Sequence, residues 1–212
     1  AMGTGAALMA CDSADPSDAT ALILANVPTG VLHAAGAGDK GLLVELAAKR
    51  VQWMYAPKAM GAWYLQCACA TVPLETRVLF SSVGSGLGNV GQAHYAAANA
   101  CLDAHARSRR VYGVAACSLQ WPLVGGAGMG AAAFAAMGER QVAIAGLAGI
   151  SLEEYAACLG SQLAASTRFA FSVQVVHRAD ARALLRDLAD PSQPRFCELA
   201  QTERASVSVD PV

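Results

Sequence analysis

The sequence is short of charge. Only 15% of its 212 residues are charged, the net charge is −1, and the isoelectric point is near 6.5. A chain without a basic surplus has no electrostatic basis for binding nucleic acid or an anionic membrane surface. Aromatic residues are also few, at 6%, but hydrophobic residues make up 55%. This composition is that of a globular protein with a sizeable core and excludes a disordered chain.

Charged residues are missing altogether between Arg110 and Glu139, which raises the question of a membrane span. That stretch contains Pro122 and several glycines, whereas a spanning helix needs about 20 predominantly apolar residues. We therefore expect no membrane span. The N-terminal residues also lack the basic and continuous apolar segments of a signal peptide. The corresponding prediction is a cytoplasmic protein.

Closely spaced cysteine pairs are scarce as well. Of the seven cysteines, only Cys67 and Cys69 lie close together. Zinc sites space their cysteines by about two to four residues and need a second pair. We expect no metal site and interpret the cysteines as reduced core thiols.

Strand-like and helix-like segments alternate along the chain, which is typical of an α/β fold with a buried parallel sheet. The pattern predicts strands at 6–10, 30–33, 77–81, 114–119 and 169–176. It predicts helices at 16–24, 42–69 (one or two, joined near Pro57), 92–110, 131–145, 152–165 and 179–188. Residues 1–189 form one domain in this prediction, and residues 190–212 form a linker or tail.

Polar residues follow three of the predicted strands. They are His33 before Ala34-Ala35-Gly36, Ser82 after Ser81, and Gln120 before Trp121. Ligands of open parallel sheets bind beyond the carboxyl ends of the strands. We therefore expect the functional site at this edge.

The glycines Gly86, Gly88 and Gly91 formally match the phosphate-binding pattern G-x-G-x-x-G. That pattern needs a tight turn and an acidic residue about 20 positions further on, at the end of the next strand. This loop is longer, and the next strand ends without an acid. We favour a bend that carries Ser82 and Tyr95 to a reaction centre, with phosphate binding as the alternative.

Four polar residues have the spacing of a catalytic set. Tyr95 and Asn99 are four apart and share one face of a helix, and Ser82 ends the preceding strand. A tyrosine that transfers a proton near neutral pH needs a neighbouring cation, which favours its phenolate form. Lys58, on the preceding helix, is the candidate. Each residue alone would more often be an ordinary surface or core residue. The occurrence of all four at this spacing is what indicates a catalytic set.

Together these residues resemble the ketoreductase domain of a modular (type I) polyketide synthase, in the short-chain dehydrogenase/reductase superfamily. The matching segments are VLHAAG at 31–36, APKAMGAW at 56–63, VLFSSVGSGLGNVGQAHYAAANACLDAHARSRR at 78–110 and SLQW at 118–121. The resemblance implies a Rossmann-like, doubly wound parallel sheet. It also implies reduction of a β-ketoacyl thioester by NADPH, with the chain carried on the phosphopantetheine of an acyl carrier protein and other synthase domains as partners.

The resemblance implies a role for each residue of the set. Tyr95 donates a proton to the β-keto oxygen, and Ser82 hydrogen-bonds that oxygen. Lys58 favours the phenolate of Tyr95 and helps to hold the nicotinamide ribose, while Asn99 supports the proton relay. The further implied cofactor-binding residues are Asp12, Ala34, Ala35 and Gly36. The implied substrate-loop residues are Asp39, Leu87, Trp121 and Met129.

The sequence departs from the family pattern in several places. The glycine-rich cofactor fingerprint is absent, and the chain resembles the family only from about its third strand. We therefore expect an N-terminally truncated domain and weak NADPH binding by these 212 residues alone. Trp121-Pro122 stands where the family usually has Trp-Gly. Asp39 keeps only the middle acid of a Leu-Asp-Asp motif, and Leu87 stands where the opposite stereochemical type has tryptophan.

Two alternative functions remain at this point. One is a non-catalytic structural element of a megasynthase, which the missing cofactor fingerprint favours. The other is a stand-alone short-chain dehydrogenase acting on a free ketone or alcohol, against which the position of Lys58 argues.

Overall fold

The structure is a computed structural model. It describes residues 5–88, 91–126, 149–164, 173–175, 186, 190 and 192–197. The chain divides into two compact units, residues 1–120 with 161–175 and residues 121–160 with 176–212. The first unit contains the predicted catalytic residues.

A four-stranded sheet is the centre of the first unit. Its strands are β1 (Gly30–His33), β2 (Thr76–Ser82), β3 (Cys117–Trp121) and β4 (Val173–Val175), in the order β1-β2-β3-β4. The pairs β1–β2 and β3–β4 are parallel, with Gly30 opposite Thr76 and Ser118 opposite Val173. The observed pairing confirms the predicted α/β class.

The helices are α1 (Pro16–Asn26), α2 (Ala48–Tyr55), α3 (Gly61–Ala68), α4 (Gly84–Leu87), α5 (Ala93–Val111) and α6 (Leu152–Ala164). In the described part of the chain, 3₁₀ turns lie at Leu43–Glu45 and Pro194–Phe196. No helix within the described residues is long and apolar enough to cross a membrane.

Helix α1 begins where its capping residues predict. The side chain of Asp15 accepts hydrogen bonds from the backbone N–H groups of Ser17 and Asp18, and Pro16 occupies the first turn. The helix buries Ala19 and Ile23 in a cluster that also contains Leu65 and Cys69. Through this packing, α1 holds α3 in place.

The long helical segment between β1 and β2 is interrupted by a π-helical stretch at Ala56–Met60. The N–H of Gly61 bonds to the carbonyl of Ala56, five residues earlier. Pro57 has no N–H to donate to an α-helical hydrogen bond, which is a known cause of such irregularity. The joint that the sequence predicts near Pro57 is therefore present, as a widened turn that carries Lys58.

In the second unit, a short parallel bridge joins Val124 to Ile150. Helix α6 begins with a capping box, in which the N–H of Glu154 bonds to the hydroxyl of Ser151 and the Glu154 carboxylate accepts from the N–H of Ser151. The centres of the Trp121 and Tyr155 rings lie 4.4 Å apart.

Some predicted elements are wrong or displaced. Residues 6–10 are exposed and form no strand, because no strand among the described residues pairs with their backbone. Strand β3 begins at Cys117 instead of Val114, since the N–H of Val114 bonds back to the carbonyl of Arg109 and completes the end of α5. The predicted helix at 131–145 lies outside the described residues, as do most of the predicted strand at 169–176 and of the helix at 179–188.

Candidate active site

Lys58 is a buried lysine in the π-helical stretch. Only 3% of the residue is exposed. Its Nζ donates a hydrogen bond to the carbonyl of Phe80 in β2 at 3.2 Å, and it lies 5.6 Å from the centre of the Tyr95 ring. Burial lowers the pKa of Lys58 to about 8, although attraction to Asp103 acts in the opposite direction. The ammonium therefore remains mostly protonated at neutral pH, next to the tyrosine.

Tyr95 and Asn99 lie one turn apart on α5, as their spacing predicts. Asn99 is fully buried, and its Nδ2 donates to the backbone carbonyl of Tyr95 at 2.9 Å. The carbonyl of Asn99 in turn accepts a hydrogen bond from the hydroxyl of Ser81 at 3.2 Å. The Asn99 side-chain oxygen is buried and has no hydrogen-bond partner among the described residues. The bond from Ser81 joins the helix of Tyr95 to the end of β2.

Ser82 is the last residue of β2 and is half-buried. Its hydroxyl accepts a hydrogen bond from the N–H of Gly84 at 3.2 Å. It lies two residues after Phe80, whose carbonyl holds Lys58. The structure thus places Lys58 beside the ring of Tyr95 and Asn99 one turn further along α5. Ser82 ends β2, the strand that contacts the π-helical stretch through Phe80 and α5 through Ser81.

The loop between β2 and α5 begins as the short helix α4, which contains the half-buried Leu87. Gly88 and Gly91 follow with positive φ angles of 84° and 71°. A residue with a Cβ atom is strained in this region, so these glycines serve the bend. A short helix followed by two glycines with positive φ differs from the tight strand-to-helix turn of a phosphate loop. This difference favours the interpretation of the segment as a bend.

Asp39, predicted in the substrate loop, forms a bidentate ion pair with Arg50 of α2. Arg50 Nη2 lies 2.7 Å from Asp39 Oδ1, and Arg50 Nε lies 2.9 Å from Asp39 Oδ2. His94 Nε2, from the residue before Tyr95, lies 3.2 Å from Oδ2. The Asp39 carboxylate therefore links its loop to α2 and to the helix of Tyr95.

Sequence reasoning missed the roles of His94 and Arg50. The side chain of His94 is 1% exposed and reaches Asp39. Neither residue carries a local signal, because the partners are 55 and 11 positions apart in the chain. The one sequence feature that could have indicated a role for His94 is its position next to Tyr95.

The ion pair predicts how Asp39 titrates. Hydrogen bonding to Arg50 is the main cause that lowers the pKa of Asp39 from 3.8 to about 2. A carboxyl group whose pKa is lower in the folded than in the unfolded protein stabilises the fold at pH values above its unfolded pKa. This stabilisation is lost as the pH falls through the folded pKa. A ¹³C NMR titration of the carboxyl carbon is expected to give a midpoint near pH 2, which Arg50→Gln moves up towards 3.8.

The matched control for this titration is Arg107→Gln, which removes an exposed arginine of α5. That variant is expected to leave the midpoint of Asp39 in place. An Arg50→Gln variant with an unchanged midpoint would show that the ion pair does not form.

The predicted cofactor residues lie in two places. Ala34, Ala35 and Gly36 directly follow β1, whose last residue His33 is buried with Nε2 3.2 Å from the carbonyl of Lys58. This segment of small residues therefore starts beside the backbone of the lysine. Asp12 is exposed and lies in the turn before α1, where its Oδ1 accepts from the N–H of Ala14 at 2.9 Å.

Of the remaining predicted loop residues, Trp121 is buried and packs on Tyr155. Met129 lies outside the described residues. No group of His, Cys, Asp or Glu within the described part of the chain is arranged to hold a metal ion.

A family model described as "KR domain" matches residues 1–126. The chain belongs to the KR-domain family.

Curated relatives of this KR domain are polyketide synthases. It is 43% identical over 162 residues to the spectinabilin polyketide synthase system protein NorB of Streptomyces orinoci, and 47% identical over 127 residues to polyketide synthase GfsA of Streptomyces halstedii. These matches cover 74% and 58% of the chain but 7% and 2% of the two relatives.

Solved structures give the same family. The KR domain superposes on PlmKR1, the ketoreductase from the first module of phoslactomycin biosynthesis in Streptomyces sp. HK803, with a TM-score of 0.76 and 30% identity. For the first ketoreductase of the tylosin PKS the TM-score is 0.71 with 30% identity. The alignments cover 90% and 89% of this chain, and 44% and 42% of those chains. The predicted family and its short-chain dehydrogenase/reductase Rossmann fold are confirmed.

Proposed function

We propose that this KR domain reduces the β-keto group of an acyl thioester to a hydroxyl group, with NADPH as the reductant. The observation that carries the proposal is the buried Lys58 ammonium, 5.6 Å from the centre of the Tyr95 ring. Burying a lysine is costly unless its charge is used or balanced. A cation held beside a tyrosine suits proton donation, because it stabilises the phenolate that remains.

The residues present fit a nicotinamide cofactor at the carboxyl edge of β1 and β2. Ala34, Ala35 and Gly36 offer a segment with little side-chain bulk for a close approach. Lys58 uses one hydrogen bond on the carbonyl of Phe80 and keeps further N–H groups for a ribose hydroxyl. When bound, NADPH supplies the hydride that adds to the keto carbon.

The side chains of this domain complete the reaction with a proton. As the carbon–oxygen π bond breaks, Tyr95 donates its hydroxyl proton to the keto oxygen, and an O–H bond forms. Ser82 donates a hydrogen bond to the same oxygen and orients it. Lys58 stabilises the negative charge left on Tyr95, and Asn99 holds the backbone of Tyr95 in place. Tyr95 recovers a proton from solvent in this proposal.

The substrate is proposed to arrive as a β-ketoacyl chain on the phosphopantetheine arm of an acyl carrier protein. This part rests on the polyketide synthase relatives, which are large proteins compared with this chain. Other synthase domains are the corresponding partners.

The test is NADPH consumption by the complete natural polypeptide that carries this sequence. We expect turnover of a β-ketoacyl pantetheine thioester, faster turnover when the same chain is attached to an acyl carrier protein, and little turnover of a free ketone. NADH in place of NADPH serves as the cofactor control. A folded polypeptide that binds NADPH but leaves the thioester unreduced would contradict the proposal and favour a structural role in the synthase.

A further inference from the structure

A buried carboxylate lies two turns beyond Tyr95 on the same helix. Asp103 is 6% exposed, and both of its oxygens accept hydrogen bonds. Oδ1 accepts from the hydroxyl of Ser118 at 2.6 Å; Oδ2 accepts from the hydroxyl of Ser85 at 2.6 Å and from Nε2 of Gln120 at 2.7 Å. A side chain that accepts from this many donors suits the ionised carboxylate, which has acceptors only.

The same network reaches the turn of Ser82. The hydroxyl of Ser85 lies 2.8 Å from the backbone carbonyl of Ser82, and Nε2 of Gln120 donates to the Ser85 oxygen at 2.8 Å. Ser85 has one hydroxyl proton for two acceptors, so it bonds to the carboxylate and to the Ser82 carbonyl in alternation. Asp103 on α5, Ser85 on α4 and Gln120 on β3 thus form one connected set.

Asp103 also acts on Lys58 through its charge. Its attraction raises the pKa of Lys58 and so opposes the effect of burial, which is the larger of the two. Among the described residues, the other titratable groups that interact with Lys58 are Tyr95, across the ring face, and His33, whose Nε2 lies 3.2 Å from the Lys58 carbonyl. Burial lowers the pKa of His33 and favours its neutral form. Among these groups, the carboxylate supplies the negative charge.

We propose that Asp103 is a positioning residue of this site: it holds the turn of Ser82 against the helix of Tyr95. Asp103 touches neither substrate nor cofactor in this proposal and acts through Ser85. The inference rests on the proposed reduction. The sequence contains a faint signal for it, since Asp103 is four residues after Asn99 and eight after Tyr95, on one face of a helix.

Two substitutions in the complete natural polypeptide test this role. Asp103→Asn keeps the shape of the side chain but replaces one acceptor oxygen by an amide, whereas Ser85→Ala removes the link to Ser82. The assay gives kcat and KM separately for NADPH-dependent reduction of a β-ketoacyl pantetheine thioester. Ser85→Thr restores the hydroxyl and serves as the matched control for Ser85→Ala.

Asp103→Asn replaces one acceptor oxygen by an amide that only donates, so the side chain can no longer accept from both Ser118 and Ser85 through separate oxygens, and kcat is expected to fall about tenfold. Ser85→Ala is expected to lower kcat by a similar factor, and Ser85→Thr to recover most of the loss.

Each result decides the inference. If the wild-type polypeptide reduces the thioester while folded Asp103→Asn keeps the wild-type kcat, the role of the carboxylate is wrong. If Ser85→Ala keeps the wild-type kcat, the positioning role is wrong, and this holds even if Asp103→Asn does not fold. Absence of turnover in the wild type would instead overturn the proposed function itself, and with it the role of Asp103 in catalysis.

Discussion

Tyr95→Phe is expected to slow reduction by at least about a hundredfold while leaving NADPH bound. Removing the hydroxyl removes the only proposed proton donor, and positioned acid–base groups contribute about 10²- to 10⁴-fold to rates. The phenyl ring keeps the packing of α5 and the ring face towards Lys58. We therefore expect kcat to fall at least about a hundredfold, measured as NADPH consumption with a β-ketoacyl thioester.

The matched control is Tyr112→Phe, which removes an exposed hydroxyl just past the end of α5. That variant is expected to turn over like the wild type. A Tyr95→Phe variant that retains most of its kcat would show that another group, or water, protonates the keto oxygen.

Lys58→Met is expected to have the second-largest effect on activity. It is expected to lower kcat but to raise the stability of the folded protein. Methionine replaces the aliphatic stem but not the charge. Loss of a cation next to Tyr95 is expected to lower kcat by between about ten- and a thousandfold, because an adjacent opposite charge shifts an ionisation by one to three pKa units. NADPH binding is expected to weaken, since Lys58 is proposed to hold the ribose.

Stability changes in the other direction because the folded protein holds Lys58 with its pKa lowered from 10.5 to about 8. At neutral pH the charged form is therefore disfavoured in the folded state, by about 3 kcal/mol. The wild type is expected to gain stability as the pH rises from about 8 to 10.5, because the unfolded chain binds more protons in that range. Lys58→Met is expected to lack this gain and to be more stable than the wild type at neutral pH.

Chemical denaturation at several pH values tests this expectation. Lys49→Met is the matched control, because Lys49 is an exposed residue of α2. It is expected to leave both activity and the pH dependence of unfolding unchanged. A Lys58→Met variant with wild-type activity would overturn the role of the lysine, and one with wild-type pH dependence of stability would overturn its desolvation.

Much of the site could be predicted because its residues are local or match a family pattern. Tyr95 and Asn99 are one helical turn apart, and the capping signals at Asp15 and Pro16 place α1 correctly at its start. Such features depend on backbone geometry over a few residues, which the sequence displays directly. The proximity of Lys58 came from the family resemblance, since no local pattern joins positions 58 and 95.

The features that escaped prediction depend on distant contacts. The contacts of Asp39 with His94 and of Asp103 with Ser118 join residues 55 and 15 positions apart. The apolar run at 6–10 has a strand-like composition but no neighbouring strand among the described residues. Hydrophobicity alone does not distinguish a paired strand from an exposed segment, because the hydrogen bonds that decide between them come from elsewhere in the chain.

The widened helical turn at Ala56–Met60 also determines which length changes this protein tolerates. A π-helical turn holds one residue more than an α-helical turn, and each residue of an α-helix advances the helix by about 100°. Deleting Ala59 would restore regular winding but would rotate α3 by that angle relative to Lys58. Either the lysine would leave Tyr95, or Ala62 and Leu65 would leave the core. Deletions of a single residue should therefore be harmful here, whereas the exposed 42–45 segment before α2 should accept them.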